Sequence, residues 1–513
     1  MMREIGSGGR ALLHEIVTAA AATAPDRPAV VTADGTATTF AELDRMVAAV
    51  AGWLHAHTAA GDRIAVIGDN GLEYALLYYA VPRSGRILVL VNQRLAPAER
   101  AAQFDATAPA LIVGAAPYLD ELPPSGVPRI AFASPRWREL LTHAPLPVDA
   151  ARPDDTAWLL FTSGSTGTPK GVLHTHRSII AAVAGTVEGR AVQPGGVYLL
   201  PFPMCHVAGY NMLVHHATAS TVLPVPDFRP ATFVELVNRH GVTSCSLAPT
   251  MLHALLRHLE ETGARIPTLR DVAYGSAAIG ADLLRRALHT LDVGFHQGYG
   301  MTETGGNVTF LGPDDHRAGA AGDDAALASA GRPHTGVEVR IEGGEVGEIL
   351  VRGTQVAAGY WPDGRSATVE GWLPTGDVGR IDDAGRLVVV DRRKDVVITG
   401  GENVSSREVE DVLSHHPCVD QVAVVGVPDA YWGEAICAVV VPRPGSHCDE
   451  ADLIAHARAH ATAFKRPRHV LFVDALPLTS NGKIAKEEVR RLARATLRPE
   501  GSSECSPRSP TPR

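Results

Sequence analysis

Between residues 162 and 171 the chain reads Thr162-Ser163-Gly164-Ser165-Thr166-Gly167-Thr168-Pro169-Lys170-Gly171, directly after the apolar stretch Trp158 to Phe161. These residue types converge on one task, the cradling of a polyphosphate. Glycines let backbone N–H groups approach phosphate oxygens closely, the Ser and Thr hydroxyls add donors, and Lys170 supplies a cation. The order departs from the Walker A loop, which needs Ser or Thr directly after its Lys. Here Gly171 follows Lys170 and Pro169 precedes it. A P-loop kinase or GTPase is disfavoured.

Further short motifs follow in order: Pro201-Phe202-Pro203-Met204-Cys205-His206, Tyr274-Gly275-Ser276, Gly298-Tyr299-Gly300-Met301-Thr302-Glu303-Thr304 and Thr375-Gly376-Asp377. Asp391-Arg392-Arg393-Lys394-Asp395, Gly400-Gly401-Glu402-Asn403 and Thr479-Ser480-Asn481-Gly482-Lys483 complete the series. With the phosphate loop, it resembles the adenylate-forming superfamily of acyl-CoA synthetases, peptide-synthetase adenylation domains and luciferases. The pattern is closest to fatty acyl-CoA ligases, and the likeness extends over residues 10 to 495.

The resemblance implies ATP-dependent conversion of a carboxylic acid to an acyl-adenylate, then acyl transfer to the thiol of CoA or of a carrier protein's phosphopantetheine. It places the ATP phosphates on Thr162, Ser163, Gly164, Ser165, Thr166, Gly167 and Lys170. Ser276, Tyr299 and Gly300 belong to the same nucleotide site, with Tyr299 along the adenine ring. Asp377 accepts from the ribose hydroxyls, and Arg392 is a basic partner on the same sugar. Glu303 and Thr166 hold Mg²⁺, a hard cation that takes oxygen ligands. Lys483 bridges carboxylate and α-phosphate in the transition state, with Thr302, Glu303 and His206 as further catalytic residues.

For the second half-reaction, relatives rotate a small C-terminal domain, here about Lys394, moving Lys483 out and residues 400–404 in. Gly400 and Gly401 then line the pantetheine tunnel. Trp432, Phe464, Arg466 and Arg468 match positions around the nucleotide end of CoA, whose phosphates suit Arg. The arginines favour CoA over a carrier protein as acceptor.

By the same likeness the acid lies among Phe202, His206, Gly209, Tyr274, Gly275, Gly298 and Gly305. The residues around His206 are small and largely neutral, with Gly305-Gly306-Asn307 opposite. No acidic residue occurs between Phe202 and Leu223 to pair an amino group, and no Lys or Arg to pair a second carboxylate. His206, His215 and His216 could still carry charge if protonated. A monocarboxylic fatty acid is the first expectation and an aromatic acid the second. A luciferase-like oxygenase shares the adenylation motifs, and a catalytically silent acyl-nucleotide binder could keep the fold. Lys483, Asp377 and Glu303 speak against the silent binder.

These motifs must be positioned by a chain of 513 residues with 45% hydrophobic content, long enough for two or more domains. A net charge of -9 offers no basic stripe for a nucleic-acid backbone. Cys205, Cys245, Cys418, Cys437, Cys448 and Cys505 include no C-x-x-C pair, so neither disulfides nor zinc are expected, and a reducing cytoplasm fits. The adjacent pairs His215-His216 and His415-His416 lack the spacing of zinc ligands and are read as core or solvated side chains. The Ala-rich stretch Ala11 to Ala24 reads as a first helix, not a signal or a membrane span. The last three residues form no peroxisomal address. Oligomeric state is not encoded in any of these signals.

Thr39-Phe40-Ala41-Glu42 has capping-box spacing before a helical apolar pattern, predicting a helix over residues 39–57. Short β-branched runs at Arg63 to Gly68 and Ile87 to Asn92 alternate with helical patterns, which argues α/β architecture. Pro313 to Thr335 reads as a turn-rich region ahead of a smaller sheet that includes Gly347 to Gly353 and Gly385 to Val390. The expected organisation is a large N-terminal domain of α/β sheets layered with helices over residues 1–391, a mobile α+β lid over 392–498, and a disordered Ser/Pro-rich tail over 499–513.

Overall fold

Behind Thr39 the apolar residues Phe40, Leu43, Val47, Val50 and Leu54 recur on one face, and the helix Phe40–His57 buries all five. Its N-terminus closes as a reciprocal capping box, Thr39 accepting from the Glu42 N–H while the Glu42 carboxylate accepts from Thr39. Such a cap contributes about 1 kcal/mol. The Ala-rich N-terminal stretch forms the helix Glu15–Thr23, packed through Ile16, Val17 and Ala20.

This computed structural model describes residues 12–146, 148–162, 170–275, 279–399, 402–429, 431–479 and 483–497. Two compact units are present: one of residues up to Val389, with which Lys483 is grouped, and one from Val390 to Thr479 and from Ile484 onward. The first unit holds a seven-stranded and a nine-stranded sheet together with a four-stranded one. Among the described residues no helix is long and apolar enough to cross a membrane.

In the seven-stranded sheet, Arg63–Ile67, Ile87–Leu90, Leu111–Gly114, Arg129–Ala131 and Thr156–Thr162 run parallel. Parallel neighbours need crossover connections, which is why strand and helix patterns alternate in the sequence. Thr156–Thr162 then turns back antiparallel into Lys170–Thr175, with Thr162 opposite Lys170. Both ends of the phosphate loop are therefore tied into one hairpin.

The nine-stranded sheet has a parallel centre of Val197–Leu200, Thr221–Pro224, Ser244–Leu247, Asp271–Gly275 and Gly294–Met301. Gly294–Met301 pairs antiparallel with Gly306–Leu311. Val66, Leu88 and Trp158 from one sheet and Tyr198, Leu200 and Val222 from the other share a single apolar core with the helices between them. The four-stranded sheet, Val337–Glu342, Gly347–Gly353, Leu373–Ile381 and Leu387–Arg392, carries Asp377.

The second unit is a five-stranded sheet built on the long hairpin Val419–Asp429 and Gly433–Pro442, with helices Ser406–Ser414, Glu450–His460 and Lys486–Thr496.

Two expectations are corrected. Pro313 to Thr335 is not a plain turn region: it contains the helices Pro313–Ala320 and Asp324–Leu327. Pro313 sits in the first helical turn, where its missing N–H costs nothing. Cys418 and Cys448 form a disulfide, their Cα atoms 5.4 Å apart. Neither lies in a short motif; the fold brings the start of one strand to the residue before the Asp449 cap. The Ser/Pro-rich tail lies outside the described residues.

Candidate active site

Four motifs follow or close parallel strands of the first unit, at Thr156–Thr162, Val197–Leu200, Asp271–Gly275 and Gly294–Met301, the ends at which open α/β sheets bind their ligands. Register places Gly275 beside Gly298. A Cβ on Gly275 would stand 2.6 Å from the Gly298 carbonyl oxygen, and one on Gly300 only 2.1 Å from that of Gly306. Close backbone approach is what these glycines supply, and any side chain there would push the strand ends apart.

Tyr299 leaves this strand end with its phenol donating to the Asp377 Oδ2 at 2.8 Å. Asp377 is itself buried and receives no help from chance. The Thr375 hydroxyl accepts its N–H at 3.1 Å, and Gly376 turns the backbone at φ 73° with its N–H on Glu348. The aromatic ring and the carboxylate are thus one fixed pair.

Glu303 lies on the short 3₁₀ turn Thr302–Thr304, closed by Gly305 at φ 64°. Three buried groups hold that turn. His174 donates through Nε2 to the Thr302 carbonyl at 2.7 Å, and the Gln355 amide donates to the Thr304 and Asn307 carbonyls at 2.8 and 3.0 Å. The Ala357 N–H reaches the Glu303 carbonyl at 2.8 Å. Tyr360 directs its hydroxyl at the Glu303 carboxylate at 3.4 Å. Burial, and then the carboxylate beside it, push the Tyr360 phenol up to about 12, so it stays a donor. Burial drives His174 down to about 4, so it is a neutral imidazole, and a carbonyl partner fixes the proton on Nε2.

A half-buried carboxylate presented from a rigid turn is the oxygen donor that Mg²⁺ takes, so Glu303 fits the expected ion. Thr162 and Lys170 stand opposite each other at the base of the phosphate loop, both half-buried. Ser163, Gly164, Ser165, Thr166, Gly167, Ser276, Gly400 and Gly401 lie outside the described residues.

On the acid side, Asn70 staples the segment Pro201 to His206. Its amide donates to the Phe202 and Val225 carbonyls at 2.7 and 2.8 Å, and its Oδ1 accepts the Met204 N–H at 2.7 Å. His206 begins the turn Val207–Tyr210, and Gly209 packs so closely that a Cβ would meet the Tyr78 hydroxyl at 2.1 Å. Tyr210 crosses to Gly306 and bonds Thr186 at 2.8 Å. The Tyr274 side chain turns the other way, into the core, its hydroxyl on Gln297 and His316 at 3.2 and 2.8 Å. Cys205 is buried, and burial raises its thiol to about 12, which rules it out as a ready nucleophile.

In the second unit Trp432 is exposed, its backbone turned by Asp429, which accepts the Tyr431 and Trp432 N–H groups at 2.8 Å. The Arg468 guanidinium lies 3.9 Å over the indole centroid. Arg466 is half-buried with Nε toward the Ala461 carbonyl at 3.4 Å, and Arg392 is exposed. Lys483 immediately precedes Ile484 of the Leu478–Ile484 bridge and is half-buried.

Residues 17–361 match the model of the AMP-binding enzyme family, and residues 408–483 match that of the AMP-binding enzyme C-terminal domain. The chain belongs to the AMP-binding enzyme family. This AMP-binding enzyme is 35% identical over 473 residues to a feruloyl-CoA synthase of Amycolatopsis, covering 89% of the chain and 94% of the relative. It is 32% identical over 495 residues to a Mycobacterium tuberculosis CoA ligase named for a methyl-dioxo-octahydroindenyl propanoyl group, covering 91% and 96%. The amide bond synthetase McbA of Marinactinospora thermotolerans has the same fold, with TM-score 0.84, 32% identity and coverage of 94% and 99%. The adenylate-forming resemblance and the α/β architecture seen in the sequence are both borne out, and with them the enzyme class of acid–thiol ligase.

Asn70, His174, Gln355 and Tyr360 escaped the motif reading. All four act by holding backbone or orienting a motif residue, and a single polar residue inside a strand or helix pattern carries no spacing signal.

Proposed function

We propose that this enzyme activates an organic acid with ATP and passes the acyl group to CoA, the acid being of the fatty type first and aromatic second. The observation that carries the reading is the Tyr299–Asp377 hydrogen bond, which ties buried Asp377 of the strand Leu373–Ile381 to the glycine-built strand end leading into the Thr302–Gly305 turn. The two carboxylates, Glu303 for the metal and Asp377 for the ribose, come from elements far apart in the chain, and the Tyr299 hydroxyl links Asp377 to the strand that leads into the Glu303 turn.

In the first step a carboxylate oxygen attacks the α-phosphorus, the bond to the bridging oxygen of the β-phosphate breaks, and pyrophosphate leaves. Asp377 accepts from the ribose hydroxyls, and Tyr299 fixes its orientation. Lys170 and Lys483 offset charge on the phosphates and the attacking carboxylate, groups that are worth most when preorganised. Glu303, oriented by Tyr360, would hold Mg²⁺, whose charge would offset that of the phosphates. In the second step the CoA thiol gives up its proton and its sulfur attacks the acyl carbonyl, with AMP leaving. The Trp432–Arg468 stack and Arg466 would receive the nucleotide end of CoA. The relatives' names support a CoA acceptor, and one of them carries a dioxo ring system on its acyl group.

ATP–pyrophosphate exchange over fatty, aromatic and amino acids, followed by thioester detection, tests the proposal. Exchange with one class and an acyl-CoA product are expected, and Lys483→Ala should lower exchange by about 10² to 10³ while ATP still binds. Exchange without acyl-CoA would move the acceptor to a carrier protein. Near-normal exchange in Lys483→Ala would remove that lysine from the mechanism.

A further inference from the structure

Arg190 ends the helix His176–Gly189 and is buried, 6% exposed. Its Nη1 donates to the Asn211 Oδ1 at 3.0 Å and to the Ser246 hydroxyl at 3.3 Å. Its Nε is enclosed without a hydrogen-bond partner, and among the described residues no carboxylate pairs with it. A buried guanidinium with neutral partners and unused donors is costly unless something else satisfies it.

The surroundings show what that could be. Asn211 follows Tyr210, whose hydroxyl receives the Asn307 backbone and amide at 3.4 and 3.3 Å, and the Asn307 side chain lies where a Cβ of Gly298 would be. Ser246 pairs in register with Ala273, and Ala273 with His296, whereas Gly275 pairs with Gly298. Residues paired this way share a face of a parallel sheet, and alternate residues return to it. Ser246, Ala273, Gly275 and Gly298 therefore lie on one face, with Arg190 at its inner end. The step from the His296 level to Gly298 is two residues, about 7 Å, and to Gly300 four residues, about 13 Å, at 3.3 Å per residue.

His215 and His216 cannot supply this charge. Burial holds His216 down at about 4 and His215 well below its usual range, with the Arg190 charge lowering His215 further. The cation that the segment Phe202 to Leu223 lacks comes instead from the end of the preceding helix.

We infer that the acid carries a second oxygen acceptor, a keto carbonyl or a second carboxylate, remote from the carboxylate that is activated, and that Arg190 receives it. This rests on the reading of the chain as an acid-activating ligase and narrows its substrate from a plain alkyl chain to an oxygenated one. A bare alkyl tail would leave the guanidinium unsatisfied, and sites built to hydrogen-bond a substrate discriminate strongly against the analogue that lacks the group.

The full-length enzyme is assayed by ATP–pyrophosphate exchange with three acids of matched length: a straight alkanoic acid, one with a distal keto group and an α,ω-dicarboxylic acid. At least one oxygenated acid should exceed the alkanoic acid in kcat/KM by about tenfold or more. Which of the two leads identifies the acceptor as carbonyl or carboxylate. Arg190→Met should reduce that ratio by about tenfold, with thermal melting followed to exclude unfolding. The wild-type comparison stands without the variant. Equal or better exchange with the alkanoic acid overturns the inference while leaving the ligase reading intact. Calorimetric binding of an oxygenated acid in preference to the alkanoic one, with no exchange on any acid, would keep the Arg190 subsite and remove the ligase reading.

Discussion

The two units hold their functional residues by different means. In the first, Tyr299, Asp377 and the Thr302–Gly305 turn are set by buried hydrogen bonds and by glycines with no room for a Cβ. In the second, Trp432, Arg468 and Arg392 sit at or near the surface and are oriented by stacking and backbone turns. Buried networks are costly to disturb, because each lost partner leaves a desolvated group behind; exposed ones relax into water. Under the proposed function, chemistry that needs fixed geometry would have its groups in the first setting, and recognition of a long, flexible co-substrate in the second.

Acid should separate the two most strongly. Burial holds His14, His174, His216 and His316 down at about 4 and His176 at about 3, all in the first unit. Each is neutral when folded but takes a proton near 6.5 when unfolded, so the unfolded state binds more protons and stability falls as pH drops from 6.5 toward 4. The slope is up to about 1.4 kcal/mol per pH unit per histidine. Among the described histidines of the second unit, His456 is lowered, and it is only partly buried. Hydrogen exchange across this pH range should show the first unit opening first; simultaneous opening would break the contrast.

The second unit has its own strut. Removing the Cys418–Cys448 link, which closes a separation of 30 residues, should destabilise that unit by about 3–4 kcal/mol under non-reducing conditions. Urea unfolding of Cys418→Ser should show this, and a reductant should abolish the difference from wild type. Gly300→Ala in the first unit should cost about 1–3 kcal/mol by overpacking against the Gly306 carbonyl. It should also depress adenylation more than its stability loss explains, as exchange kinetics below the melting range would reveal. The smallest effect belongs to the surface: Arg468→Ala should raise the KM for CoA about two- to fivefold, equivalent to 0.5–1 kcal/mol of cation–π stacking, with pyrophosphate exchange unaltered. An equal loss of exchange would assign Arg468 to the adenylation step.

How much was legible follows the same division between local and long-range order. The helix Phe40–His57 could be read because its cap and apolar spacing are local, and the ordered motifs because their residues are short runs. Pro313–Ala320 was hidden by Gly, Asp and Ala in a region without strong periodicity. The Cys418–Cys448 link and the Arg190–Ser246 contact join residues 30 and 56 positions apart, and no window of sequence contains either pair with its reason. No Lys or Arg lies within Phe202 to Leu223, and the contact of Arg190 with Asn211 comes from a helix outside that segment. His174 and Gln355 were invisible for a related reason: they bind carbonyls, which every residue possesses.

The segment around Lys394 has one further consequence. Asp391 accepts the Ser406 N–H and hydroxyl at 2.7 and 2.8 Å, and Asp395 pairs with Arg490 at 3.1 Å, so both ends are fastened within the second unit. Arg392, Arg393 and Lys394 between them are exposed. Three consecutive basic residues on the surface, at the junction of two separately cored units, form a natural target for trypsin. Limited digestion should release two fragments there, and the rate of that cut, followed with and without ATP and acid, would serve as a label-free gauge of how the junction responds to its ligands.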